Sequence, residues 1–211
     1  MRLRNEKVTN RDLRALRWIA EQYAVRTDRL RWLWPFLGDE GAASITTERV
    51  RQVVQRWETA GIAESEALLA RSARWVWPTA TGLRALEMPW RFRAPAIGSL
   101  HHLDAVSSTR LFIERAWGCD RWQCERELRS ESGGQHVADG VWWSHTRPVA
   151  VEVEITLKSR RRIAQIVTDL LCDYPYVLYV VGSEAIGNAV REVVADDARV
   201  AIRSLHTLEP R

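Results

Sequence analysis

Residues 135–162 read QHVADGVWWSHTRPVAVEVEITLKSRRR, and few folds accommodate that stretch. The run AVEVEITLK alternates without a break. Side chains of an extended chain point alternately to opposite faces. Val151, Val153, Ile155 and Leu157 therefore share one face, and Glu152, Glu154, Thr156 and Lys158 share the other. The preceding run, HVADGVWW, also reads as a strand. A turn at 144–148 makes the two a hairpin that carries Asp139 beside the glutamates. Downstream, YVLYVV at 176–181 is nearly all apolar, as in a strand covered on both faces. Strands of both kinds interleaved with helical spacing predict an α/β (α+β) fold.

The first part of the chain is patterned differently. Helical spacing over 10–24, capped by Thr9 or Asn10, places Leu13, Leu16, Ile19, Ala20 and Tyr23 on one stripe. Thr27 starts a shorter helix, DRLRWLW, which Pro35 ends or bends. Residues 38–44 read as a loop. Thr46 or Thr47 caps a third helix that Gly61 stops. Its buried stripe is Val50, Val53, Val54 and Trp57, and Arg49, Arg51, Gln52, Gln55 and Arg56 face outward. Two strands near 62–64 and 74–77 and a short helix from Thr79 or Thr81 follow. Three helices, a hairpin and a closing helix predict a winged helix-turn-helix over 1–90, with the third helix presented to DNA.

Pro89 and Pro95 mark 91–98 as a linker. The segment 99–207 reads as a second domain. It comprises a helix over 101–117, a strand over 122–129, a turn at 131–135 and strands over 136–143 and 149–158. A helix capped by Ser159 and running to 171, the strand 176–181, a helix over 184–195 and a last strand, RVAIRSL, complete it.

Charge separates the two parts. Residues 1–93 hold 17 Lys or Arg against 11 Asp or Glu, and residues 94–211 hold 14 against 16. A basic front joined to a slightly acidic back suits a DNA reader coupled to a carboxylate site; an Arg-rich solvated surface is the plainer alternative. Arg71 and Arg74, in and beside the predicted wing at 65–73, are placed for phosphates, and Arg160, Arg161 and Arg162 follow the acidic strand. No apolar run approaches the ~20 residues of a membrane helix, and no signal-peptide core opens the chain. Three cysteines, Cys119, Cys124 and Cys172, match no zinc spacing and suit a reduced, cytoplasmic protein.

The acidic strand carries the chemistry. Asp139, Glu152 and Glu154 offer the hard oxygen ligands that Mg²⁺ or Mn²⁺ takes. Lys158 offers a compact cation near a scissile phosphate. It stands out because only Lys7 and Lys158 are lysines among 31 Lys plus Arg. Asp139 and Glu154 are the expected metal ligands, and Glu152 is either a third ligand or the base that orients water. His136 and Thr156 lie close enough in sequence to support them.

Residues from about 100 to 205 resemble the PD-(D/E)xK nuclease superfamily through Ala138-Asp139-Gly140, Glu152-Val153-Glu154 and Lys158. The resemblance implies an αβββαβ core, a divalent metal, and a supporting acid on the preceding helix, here Glu114. Both halves together, with HVADG followed by AVEVEITLKS, resemble the replication-relaxation family of actinobacterial plasmids and integrative elements. That resemblance implies DNA as partner and cleavage or nicking in plasmid or mobile-element replication or transfer. Two departures stand out: Ala138 replaces the usual proline, and two residues beyond Glu154 is Thr156, with the lysine at 158. On a continuous strand Lys158 stays on the same face, roughly 7 Å beyond the expected position. Two alternatives follow if the lysine cannot reach: a non-enzymatic DNA-binding accessory protein, or a transcriptional regulator that uses a vestigial nuclease fold to form a homodimer.

Overall fold

A computed structural model describes residues 8–37, 44–132, 136–144 and 147–208. The expected loop at 38–44 and the turn at 131–135 lie largely outside these residues, as do positions 145–146 of the hairpin turn expected at 144–148, whose flanks Ser144 and Arg147 pair. The chain is mixed α/β, with two sheets, and divides into two units at Asp104/Ala105.

In the first unit, α1 (Asn10–Glu21) opens on a capping box. The Thr9 hydroxyl accepts from the Asp12 N–H, and the Asp12 carboxylate accepts from the Thr9 N–H. The helix stops three residues before the expected end, because Tyr23 takes a left-handed φ of 64°. The next residues form β1 (Val25–Arg26), a strand the sequence reading missed. α2 (Leu30–Phe36) runs through Pro35. The Arg31 carbonyl one turn back, which a proline cannot satisfy, accepts from the Ile45 N–H at 2.9 Å. α3 (Thr47–Thr59) is capped by Thr46 and buries Val50, Val53, Val54 and Trp57 as expected. β2 (Ala63–Glu66) and β3 (Trp75–Pro78) follow, and the sheet order is β1-β3-β2, all antiparallel. α4 (Ala80–Ala85) crosses Ile62 so closely that a Cβ at Gly82 would stand 2.0 Å from the Ile62 carbonyl oxygen.

Residues 88–96 carry no helix or strand. α5 (Leu100–Phe112) spans the division between units and widens into a π turn over Ile113–Trp117 before Gly118, at φ 77°, ends it. The second unit continues with β4 (Arg121–Cys124), α6 (Glu125–Glu131), β5 (Gly140–Ser144), β6 (Arg147–Glu154), α7 (Arg160–Asp173), β7 (Tyr176–Val181), α8 (Glu184–Val194) and β8 (Val200–Ser204). Its sheet runs β4-β5-β6-β7-β8, antiparallel as far as β6 and parallel from β6 to β8. Ile163, Ile166, Val167 and Leu170 of α7, with Ile186 and Val190 of α8, pack on a core that includes Val141, Ala150, Val177, Tyr179 and Val181.

Three expectations need correction here. The predicted strand 122–129 is a four-residue strand followed by a helix, since the register with β5 ends at Cys124 opposite Gly140. The strand expected over 136–143 begins only at Gly140, which leaves His136 and Asp139 in the approach to it. The strand expected to reach Lys158 ends at Glu154, its last pairing being Glu154 with Val181. Beyond that pair β6 has no neighbour, and an extended backbone loses its hydrogen-bond partners.

Candidate functional site

Glu152 and Glu154 lie on the C-terminal half of β6, on the sheet face that α7 and α8 cover. Their register partners across the parallel pairing are Tyr179 and Val181. Covering both faces of β6 buries the two glutamates to 4% and 2% exposure, so they do not belong to a solvated sheet face. Asp139 reaches in from just before β5, where its Oδ2 accepts the Val153 N–H at 2.7 Å. A carboxylate thus continues the ladder at the point where β5 has not yet begun.

The chain bends sharply after Glu154. The Thr156 N–H and hydroxyl both donate to Glu154 Oε1, at 3.2 and 3.0 Å. The bend returns Lys158, whose ammonium pairs with Glu154 Oε2. The lysine therefore reaches the acid by reversal of the chain and not by strand periodicity, and the two-residue excess in spacing is absorbed by the turn. His136 Nε2 stands 3.4 Å from Glu152 Oε2. The two form an ion-pair contact, and the fully buried Tyr179 hydroxyl has no hydrogen-bond partner.

Electrostatics follow from the burial. Loss of solvent, reinforced by Asp139, pushes the Glu152 carboxyl up to about 7 against the opposing pull of His136 and Lys158. Glu152 in turn raises His136 above its ordinary value. Tyr179 is raised by burial and then by Glu152, Glu154 and Asp139, which places all three acids within electrostatic reach of its hydroxyl.

The structure thus brings together Asp139, Glu152, Glu154, Lys158, Thr156 and His136, and adds Tyr179. Tyr179 was overlooked in the sequence, yet a signal was there: a hydroxyl on the inward face of a strand that is otherwise apolar on that face. Glu114 pairs instead with Arg110 at 2.7 Å on its own helix. Among the described residues, no three His, Cys, Asp or Glu side chains are already grouped so as to hold a metal ion. Cys119, Cys124 and Cys172 are free.

Arg160, Arg161 and Arg162 form the exposed first turn of α7, capped by Ser159. Arg160 pairs with Glu192, and Arg162 acts electrostatically on His136 and Tyr179.

In the first unit, α3 exposes Arg49, Arg51, Gln52 and Gln55. Arg51 pairs with Glu48 at 3.0 Å, and Arg49 lies 3.3 Å from Gln52. Arg56 departs from the expected outward orientation. Its guanidinium reaches back to the fully buried Asp12 at 2.5 Å, because that carboxylate lies on the apolar stripe of α1 and needs a cation. Arg71 is exposed at φ 57°, and Arg74 is held on Ser65 at 3.1 Å. A groove of about 850 Å³ between α3 and this loop is lined by Arg31, Thr47, Arg51, Gln55 and Arg74, among others.

No helix among the described residues is long and apolar enough to cross a membrane. No protein-family model, curated protein or solved structure matches the chain.

Proposed function

We propose that this chain binds DNA through its first unit and cleaves or nicks it through a divalent-cation-dependent site in its second, in the replication or transfer of a plasmid or mobile element. The observation that carries the reading is the meeting of Asp139, Glu152, Glu154 and Lys158 at the end of one strand, with both glutamates buried. The order α5, β4, β5, β6, α7, β7, with α6 between β4 and β5, supports the reading as an αβββαβ nuclease-like core. In the first unit, the order α1, β1, α2, α3, β2, β3 around a three-stranded antiparallel sheet supports a winged helix with α3 as reader and the β2–β3 loop as wing.

The donor set suits a hard cation in its chemistry: Asp139 and Glu154 would hold Mg²⁺ or Mn²⁺, with the buried Glu152, faced by His136, and the unpartnered Tyr179 hydroxyl in the same cluster. Such an ion would lower the pKa of a bound water and offset phosphate charge. The chain's own groups do the rest. Glu152, buried and flanked by His136, is fitted to accept the proton of an attacking water. Lys158 is fitted to face the charge that develops on phosphate. The exposed arginines at the start of α7 are fitted to hold flanking phosphates.

A second reading, a DNA-binding protein that cleaves nothing, is favoured by one observation: Thr156 and Lys158 already engage both oxygens of Glu154. Incubation with single-stranded, duplex and branched DNA in Mg²⁺ and in Mn²⁺ decides between them. Cleavage of at least one form supports the first reading, and intact DNA throughout leaves only the second.

The DNA-reading assignment has its own test. Arg49→Ala is expected to weaken duplex binding and lower the slope of log affinity against log salt by about one unit. An unchanged slope in a fluorescence-anisotropy titration removes α3 from the interface. Arg56→Ala is expected to act chiefly on stability, because Arg56 holds Asp12.

A further inference from the structure

A cation bound between Asp139 and Glu154 would have to share Glu154 with what already sits there. Both oxygens of that carboxylate are engaged, Oε1 by Thr156 and Oε2 by the Lys158 ammonium. The carboxylate is 2% exposed, whereas the lysine is one-third exposed on a bend outside any helix or strand. Burying a carboxylate charge without a counter-ion costs several kcal/mol, so in the protein alone Glu154 needs the ammonium. Lys158 has no corresponding need. Its stem lies at the surface, and water solvates an ammonium well.

One observation besides the acidic cluster points to a ligand here. Tyr179, fully buried and directly opposite Glu152 in register, carries a hydroxyl with no hydrogen-bond partner, while the nearby Glu152 oxygen is faced by His136 at 3.4 Å.

We propose that Lys158 is a built-in counter-ion for Glu154 that a divalent cation displaces, so that filling the metal site releases the lysine toward the incoming phosphate. The proposal rests on the cation-site reading above. It gives Lys158 two positions: on Glu154 when the site holds no cation, and off it when the site is filled. It also explains why the lysine stands four residues after the acid: an i+4 return across a bend lets the ammonium leave by rotation of its own stem, with no change in the sheet. A separate consequence is coupling in reverse, in which substrate phosphate that attracts Lys158 off Glu154 raises the affinity for the cation.

The test exploits the composition, since Lys7 and Lys158 are the only lysines. The full chain labelled with ¹³C-lysine gives two side-chain ε-CH₂ signals, assigned with Lys7→Arg. On titration with Mg²⁺ alone, the Lys158 signal is expected to shift saturably while that of Lys7 stays. Calorimetry with Mn²⁺ provides the second arm. Lys158→Met is expected to bind about tenfold more tightly than wild type, since the buried charge then waits unpaired for the metal. Glu154→Gln combined with Lys158→Met should abolish that gain, and Arg162→Met, which removes a nearby cation that does not touch Glu154, should give a smaller one. If Lys158→Met folds poorly, Lys158→Gln keeps a hydrogen-bond donor to Glu154 without charge and should move affinity in the same direction. A Lys158 signal that does not move while Mn²⁺ or Mg²⁺ binds, or equal affinities of wild type and Lys158→Met, overturns the displacement and leaves the cation site standing. No binding by wild type and no binding by either Lys158 variant overturns both.

Discussion

Asp139→Asn is expected to lower metal-dependent cleavage by about a thousandfold, the scale on which a group acting directly at developing charge is missed, and to leave duplex affinity unchanged. The choice of asparagine matters. Asp139 Oδ2 accepts the Val153 N–H at 2.7 Å, and this bond continues the sheet ladder where β5 has not begun. Alanine would remove a structural acceptor along with the charge, and a loss of activity would then be ambiguous. Asparagine keeps a carbonyl oxygen for Val153 and removes only the negative charge that a cation needs. Single-turnover cleavage with saturating enzyme isolates the chemical step from binding, and anisotropy on the same DNA checks that the first unit still engages it. A variant that melts as wild type does, binds as wild type does and cleaves within a few fold of it would remove Asp139 from the chemistry and leave it as a strand-terminating acceptor.

The chemistry at this position was legible in the sequence to the extent that local pattern determines structure. The acids of β6, the apolar β7 and the Ser159 cap of α7 all follow from periodicity and capping, and each is observed. Where β6 stops was not legible. The alternation VEVEITLK continues past Glu154, but a strand lasts only as long as its neighbours do, and β7 ends at Val181. The bend that follows determines the position of Lys158. Its signal, a threonine two residues after a buried glutamate, has meaning only once the glutamate is known to be buried. The same limit explains β1. Two residues have no periodicity to read, and they are a strand because Trp75 and Val76 offer an edge. α6 was misread because Glu125–Glu131 follows a strand whose partner runs out at Gly140.

Arg56 teaches a related lesson from the first unit. On helical spacing alone it belongs with Arg49 and Gln52 on the outer side of α3. What turns it inward is Asp12, 44 residues earlier in the chain and fully buried. The sequence did contain the other half of this pair: Asp12 falls three, four and seven residues before Ala15, Leu16 and Ile19, on the apolar stripe of α1. A carboxylate on such a stripe requires a cation or several donors, and Arg56, Trp57 and Thr9 supply them.

Asp12→Ala should therefore be the most damaging single substitution in the first unit. One carboxylate accepts from the Thr9 N–H and hydroxyl at 2.7 Å each, from Trp57 Nε1 at 2.7 Å and from the Arg56 guanidinium at 2.5 Å. Removing it opens the capping box of α1, leaves the indole N–H of the fully buried Trp57 without an acceptor, and strands a guanidinium that is only one-quarter exposed. Together these are expected to cost about 3–5 kcal/mol, read as a fall in the urea midpoint of unfolding followed by far-UV circular dichroism. Burial alone would raise the Asp12 carboxyl, but the donors from Thr9, Arg56 and Trp57 outweigh it and hold the group below its ordinary 3.8. A depressed folded-state pKa contributes stability that is complete above 3.8 and is lost as pH falls through the lower, folded-state value. Wild type should thus lose stability on acidification below 3.8, and Asp12→Asn, which keeps the shape but not the charge, should start lower and lack that contribution. Equal urea midpoints for wild type and Asp12→Ala, or an acid dependence in Asp12→Asn identical to that of wild type, would show that α1 and α3 are held together by their apolar stripes alone and would return Arg56 to the outer face available to DNA.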